Sequence, residues 1–320
     1  MTQLKSIVKT GCLSVLLWLL LIGVSMSEWR DEAELNFPRS EIFAAVFDKK
    51  IYVAGGIGFF RTLSSCEAFD LVSRAWRKCP NLPEPTHHVG LAATENALWA
   101  AGGYSCLRFT HQTDPKLLKL SSGAAKWTKV TSLPKPIGEH SLLHHRGKLY
   151  IVGGRTASAD SAELHEFDVE TSVWRELKPM PTARHSFGAT IHNNEIWVIG
   201  GRSSKLGSRI DIVEIYDIEN GAWRISTPIP NGGGGISAIS FNGQVHVLGG
   251  EVFEPSMVLD RHHAFDADKD IWTSLPPAPD PRHGLASVAF EDKIYSIGGG
   301  AKPGLRTVYS VTGKLQVWHK

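Results

Sequence analysis

Sulfur is scarce in this chain, which holds four cysteines and four methionines in 320 residues. That is too little cysteine for a small fold stapled by disulfides. Charge of one sign is equally scarce: 34 Lys and Arg face 32 Asp and Glu, for a formal net charge of +2. Attraction to nucleic acid or to an anionic bilayer would need a local basic patch. Lys and Arg are scattered without a basic run, so no nucleic-acid partner is expected. Catalytic signatures are missing too. There is no Gly-x-Ser-x-Gly elbow, and Gly232 to Gly235 lacks the Lys-Ser/Thr ending and following helix of a phosphate loop. The pairs His87-His88 and His262-His263 diverge in an extended strand, and no spacing predicts a zinc site. No metal and no cofactor are expected.

Past residue 24 no apolar run approaches the roughly 20 residues that span a bilayer. The first 27 residues are different. Lys5 and Lys9 precede an apolar run from Cys12 to Val24, and Ser25-Met26-Ser27 follows with small residues at alternate positions. A basic head, a short apolar core and small residues predict a signal peptide cut near Ser25 or Ser27, hence an exported protein, periplasmic or extracellular. An uncleaved N-terminal anchor is the other reading, and a membrane is a partner only in that case. Of the remaining cysteines, Cys66 and Cys79 flank an expected hairpin. Pairing Phe69 with Trp76 sets them opposite one another, close enough for a cross-strand disulfide or for two buried thiols.

Six Gly-Gly pairs recur at 55, 102, 153, 200, 249 and 298, between 47 and 51 residues apart. A period near 50 belongs to a propeller. Each pair follows an apolar, strand-like run such as Ile51 to Ala54 or Ile196 to Ile199. In the fourth unit, runs 186–191, 196–199 and 213–216 and the segment around Trp223 make four short strands with period-two patterning. An aromatic-Asp step and a later Trp complete the pattern: Phe69-Asp70 with Trp76, Phe167-Asp168 with Trp174, Tyr216-Asp217 with Trp223, Phe265-Asp266 with Trp272. Unit two has Leu120-Ser121 with Trp127, and unit six is aligned as Tyr309-Ser310 with Trp318. The Trp residues are read as wedges between neighbouring blades.

This combination, recurring over residues 38–320, resembles the kelch repeat family. The resemblance implies an all-β fold: a six-bladed β-propeller with four antiparallel strands per blade. The blades are expected near 38–80, 85–131, 136–179, 184–227, 234–276 and 282–320, with 28–320 as one domain. Ring closure stays open at this stage. Trp29 and Trp318 both look like residues of an outer fourth strand, so seven candidates compete for six places.

In such a blade the short first-to-second and third-to-fourth turns share one face, and the long second-to-third loops share the other with the blade-to-blade connections. Recognition is expected on the long-loop face. Arg61, Arg155, Arg202 and Arg306 follow Gly pairs there, and Arg39, Arg184 and Arg282 sit where the chain runs into an innermost strand, with His88, His140, His185 and His283. Arg suits planar carboxylates, so Arg61, Arg155, Arg202, Arg306, His88 and His140 are candidate ligand-binding residues for an acidic sugar or an acidic protein loop. The plainer reading of Arg39, Arg184, His185, Arg282 and His283 is that they tie down nearby carbonyls.

The function read from this pattern is a secreted module that binds a protein or glycan without chemistry of its own. A second resemblance supplies the alternative. Gly299 to Thr307 is similar to a loop of the bacterial periplasmic kelch enzymes that interconvert anomers of N-acetylneuraminic acid. That likeness implies a substrate-holding Arg at Arg306 and a Glu proton acceptor at the position that Gly300 occupies here. Glu251, after the Gly249-Gly250 pair, is the best substitute base, with Glu41 and Glu139 as further carboxylates.

Overall fold

Four short strands recur because the same apolar alternation recurs, and each second strand is buried on both faces. Val53, Ala100, Val152, Val198, Val247 and Ile297 are all at most 1% exposed. The computed structural model describes residues 28–105 and 113–319; the expected leader, residues 1–27, and Cys106 lie outside them. It contains six four-stranded antiparallel sheets. Blade 1 is built from Ala44–Phe47, Lys50–Ala54, Cys66–Asp70 and Ala75–Cys79. Blades 2 to 5 repeat that order, with first strands Gly90–Ala93, Ser141–His145, Gly188–His192 and Ser237–Phe241. These first strands neighbour one another in sequence around an axis, and that of blade 6, Ala286–Phe290, meets that of blade 1. The fold is a six-bladed propeller.

Blade 6 settles the ring closure. Its third strand is Leu315–His319, and its outer strand is Glu28–Asp31 from the other end of the chain, with Trp29 opposite Trp318. Trp318 is therefore not a fourth-strand residue. It holds the third-strand position of Phe69, Phe167, Tyr216 and Phe265, and Trp29 holds the position of Trp76, Trp174, Trp223 and Trp272. Tyr309, aligned above with the third strands, lies in a 3-10 turn, Gly304–Tyr309. The aromatic-Asp step now has a physical cause. Asp70, Asp168, Asp217 and Asp266 each accept two backbone N–H groups of the following turn at 2.8–3.2 Å. Such side chains build the hairpin into the fourth strand, and blade 6 makes no such hairpin.

The six outer-strand Trp residues are wedges. Each donates its indole N–H to a carbonyl at the end of the preceding blade: Trp29 to Pro276, Trp76 to Ala33, Trp127 to Pro80, Trp174 to Ser132, Trp223 to Lys178 and Trp272 to Thr227, at 2.6–3.1 Å. Nearer the axis a second set of bonds runs the other way. The second glycine of every pair donates its N–H to the next blade: Gly56 to Thr86, Gly103 to Ile137, Gly154 to Arg184, Gly201 to Gly233, Gly250 to Arg282 and Gly299 to Arg39, at 2.8–2.9 Å. The first glycine lets that approach happen. At Gly249 a Cβ would lie 2.3 Å from the Arg282 carbonyl oxygen, and the backbone sits at φ +61°.

Arg39, Arg184 and Arg282 are buried at three of these joints: their carbonyls accept the glycine N–H of the preceding blade, and their side chains tie down the blade they lead into. Arg39 donates to the carbonyls of Gly55 and Ser65 and pairs with Glu67 at 2.8 Å; Arg184 pairs with Glu214, and Arg282 reaches the Gly298 carbonyl and Gln316. Cys66 stands opposite Cys79 across blade 1, and their sulfurs are bonded.

Two glycine variants separate crowding from backbone preference. Gly243 is also left-handed, at φ +73°, but has nothing near its missing Cβ. Gly243→Ala should cost about 1 kcal/mol, whereas Gly249→Ala adds a packing collision and should cost about 2–4 kcal/mol. Urea unfolding of both variants checks this. Equal losses would remove the close-approach role from the pair.

Candidate functional site

The residue that leads into each innermost strand turns the chain sharply, and the six such residues encircle the axis. They are Glu41, His88, Glu139, Ser186, Gly235 and Gly284, all at φ between +52° and +64°. Left-handed backbone is uncommon for Glu, His and Ser and is held only by its surroundings. Here neighbouring backbones bond around the axis, with His88 N–H to Glu41 O, Gly235 N–H to Ser186 O and Gly284 N–H to Gly235 O at 2.8–3.0 Å. The ring lies at the long-loop end of a channel of about 420 Å³, whose walls run to Val46, His144, Ile191 and Ala289 at the short-turn end.

Charged side chains gather on this ring. Glu41 lies 2.9 Å from His88 Nε2 and 3.4 Å from His283 Nδ1. Burial opposes the charge on Glu41, but His88, His283 and Arg202 outweigh it and hold its pKa at about 2. Burial likewise opposes a charged His88, and Glu41, with Glu139 behind it, wins and raises its pKa. Glu139 accepts His185 Nδ1 and Ser186 Oγ at 2.5 Å and Tyr104 OH at 3.2 Å. These partners and the charge on His88 overcome burial and keep its pKa well below the usual carboxylate range.

Glu251, the candidate base, is 3% exposed and fully engaged. Arg202 Nη2 lies 2.5 Å from one oxygen and His283 Nδ1 3.3 Å from the same one, and Gly304 N–H donates to the other at 2.6 Å. It ties the loops of blades 4, 5 and 6 together. Arg306 lies exposed in the 3-10 turn and forms no ion pair among the described residues. The structure thus brings Arg202, Glu251 and His283 together and leaves Arg306 without an ion pair to any described carboxylate.

The remaining candidates divide by radius. Arg202 stacks on Phe253, 4.7 Å from the ring centroid. Arg155 is half-buried, and its carbonyl accepts Tyr104 OH. Arg61 is exposed at the rim beside Pro38, Phe59 and Val311. His140 is a correction. It is 0% exposed, packed against Gly90, Gly102 and Gly154 between blades 2 and 3, and out of reach of a ligand. Its place is that of Ile42, Phe187, Ile236 and Leu285 in other blades, and neither ring nitrogen has a hydrogen-bond partner among the described residues. Among the described residues no group of three or more His, Cys, Asp or Glu is placed to hold a metal ion.

Sequence reasoning overlooked two features. Asp160 lies 3.7 Å from His185, and only the folded ring brings it there. The long loops also expose Phe59, Phe60, Leu206, Phe253, Met257, Leu305 and Tyr309. Aromatic residues in Gly- and Pro-punctuated loops were the available signal for these.

The model of the KLHDC2/KLHL20/DRC7 Kelch-repeats domain matches residues 89–299, and a Kelch motif model matches residues 38–83. Relatives include mouse Kelch-like protein 40, 28% identical over 52% of this chain and 28% of its own length. Human Kelch-like protein 23 is 26% identical over 59% of this chain and 33% of its own, and beta-scruin of Limulus polyphemus 24% identical over 59% and 22%. The chain therefore spans a third or less of the length of each of these relatives.

His140 yields a pH test. Burial, followed by the charge of His88, lowers its pKa from the ordinary 6.5 to about 3, so it stays neutral in the fold. The unfolded chain takes up that proton first, so its share of stability falls by ~1.4 kcal/mol per pH unit below about pH 6.5, down to about pH 3. His262, also lowered to about 3, behaves alike and remains in the variant. His140→Leu should gain about 2 kcal/mol on wild type between about pH 8 and about pH 5 in urea unfolding. Parallel curves would exclude this role.

Proposed function

The chain belongs to the kelch-repeat family, and from that premise we propose that it is an exported binding module that recognises a protein through its long-loop face. Kelch propellers are binding modules that use their loop faces, and one observation carries the reading to a protein partner. Seven large apolar side chains are exposed on the long loops, whereas among the described residues the short-turn end exposes only Val72, Val173 and Ile271. Concentrated apolar exposure marks interaction surfaces. The Cys66–Cys79 bond supports export, since such bonds persist in oxidising compartments.

A photo-crosslinking amino acid placed in host cells at Leu206 or Leu305, with Val72 and Val173 as controls, tests this. Protein adducts should form from the loop positions and not from the controls. Equal yields from all four, or none, would overturn the reading.

Glycan binding and the anomer-interconverting reaction are the other readings. Proton transfer requires an acid or base within hydrogen-bond reach of the sugar. Both oxygens of Glu251 are already taken, and Arg306 forms no ion pair among the described residues. We expect no faster exchange of N-acetylneuraminate anomers by NMR when purified protein is added. Acceleration lost in Arg306→Ala would establish the enzyme instead.

A further inference from the structure

We propose that the rim of the loop face between blades 6 and 1 docks an acidic protein segment bearing bulky apolar anchors. This rests on the loop-face reading above and names the partner chemistry. Phe59, Phe60, Leu305 and Tyr309 are 66%, 60%, 74% and 45% exposed. Phe59, Phe60 and Tyr309 form one surface, and Leu305 belongs to the same 3-10 turn as Tyr309. Phe60 N–H donates to Val308 O at 3.0 Å, joining the blade 1 loop to the blade 6 turn. The Phe59 and Phe60 rings meet edge to face at 4.8 Å, and Phe60 stacks near Tyr309 at 6.3 Å. Beside them, Pro38, Phe59, Arg61 and Val311 border a hollow of about 420 Å³, room for a large side chain.

The two loops that carry these rings have charge of one sign. Residues 55–65 and 298–314 contain Arg61, Lys302, Arg306 and Lys314 and neither Asp nor Glu. The acids nearby, Asp31 and Glu34, are taken up by Lys314. Arg61 and Arg306 form no ion pair among the described residues, and Lys302 lies over the Tyr309 ring at 5.3 Å. Elsewhere the long loops carry Asp160, Asp211, Glu254 and Asp260. Unpaired cations around exposed rings favour carboxylates set next to apolar side chains. A bilayer is the other surface with such chemistry. However, Glu28 and His319 pair at the short-turn end of blade 6. A tether leaving either end would point the loop face away from its membrane.

The test selects a displayed random-peptide library on the purified protein. It compares a rim variant, Phe60→Ser with Arg306→Glu, and a variant across the face, Lys205→Glu with Leu206→Ser. All four side chains are exposed, and unchanged urea unfolding would confirm intact folds. Peptides rich in Asp or Glu beside Phe, Leu or Trp should be enriched. They should bind the rim variant at least about tenfold more weakly, weaken with added salt, and bind the distant variant as wild type. Peptides lost only on the distant variant would overturn the rim and leave the loop face standing. Peptides indifferent to both variants would overturn both readings. Flotation of wild type, but not the rim variant, with phosphatidylcholine–phosphatidylserine vesicles, without acidic peptides, would assign the rim to lipid and overturn the proposal. A wild-type dimer in sedimentation, lost in the rim variant, would overturn it in favour of a second copy.

Discussion

Everything in this molecule depends on how closely one blade's backbone approaches the next. The N–H of the second glycine reaches a neighbouring carbonyl, with no room for a Cβ on the first. A hydrogen bond of that kind contributes only ~1 kcal/mol by itself. Repeated at six joints, and opposed at the periphery by six indole N–H bonds to the preceding blade, it fixes each blade at two radii. A sheet held at two radii has a set tilt, which is why six unequal repeats close into one ring.

Closure itself uses no new chemistry. Gly299 bonds Arg39 as Gly56 bonds Thr86, and Trp29 bonds Pro276 as Trp76 bonds Ala33. Only the covalent order differs, because the outer strand of blade 6 comes from the other end of the chain. Unfolding blade 6 must then release both ends together, tying its stability to that of the ring.

The blades were legible in the sequence because Gly-Gly, the aromatic-Asp step and Trp each answer a local demand: close approach, turn closure and wedge. The closing strand was not, although a clue was present. The 3-10 turn at Gly304–Tyr309 lengthens the loop after Gly298-Gly299 and places Trp318 near the spacing of a fourth-strand Trp. The residue after Trp318 is His319, not Asp, as expected where no hairpin follows. Radial position was illegible for a different reason. Arg39 and Arg61 differ by burial, and burial depends on long-range packing. The same holds for His140, whose apolar position is visible only beside Ile42 and Leu285.

The axial charges and the rim charges consequently do different work. Glu41, Glu139 and Glu251 stand close to the axis, where an open site would be looked for, yet His88, His185, Arg202 and the Gly304 N–H already satisfy them. Buried ion pairs of this kind add little net stability, but breaking one strands a charge. The loops they hold are therefore confined to one arrangement. Arg202 and Gly304 are gripped by the same carboxylate, and the 3-10 turn bearing Leu305, Arg306 and Tyr309 starts at Gly304. The network thus preorganises the rim, which would lower the ordering cost of the proposed docking. Charge fully paired within the protein has little left to offer a ligand, which is why the proposed docking is assigned to the cations and exposed rings farther out.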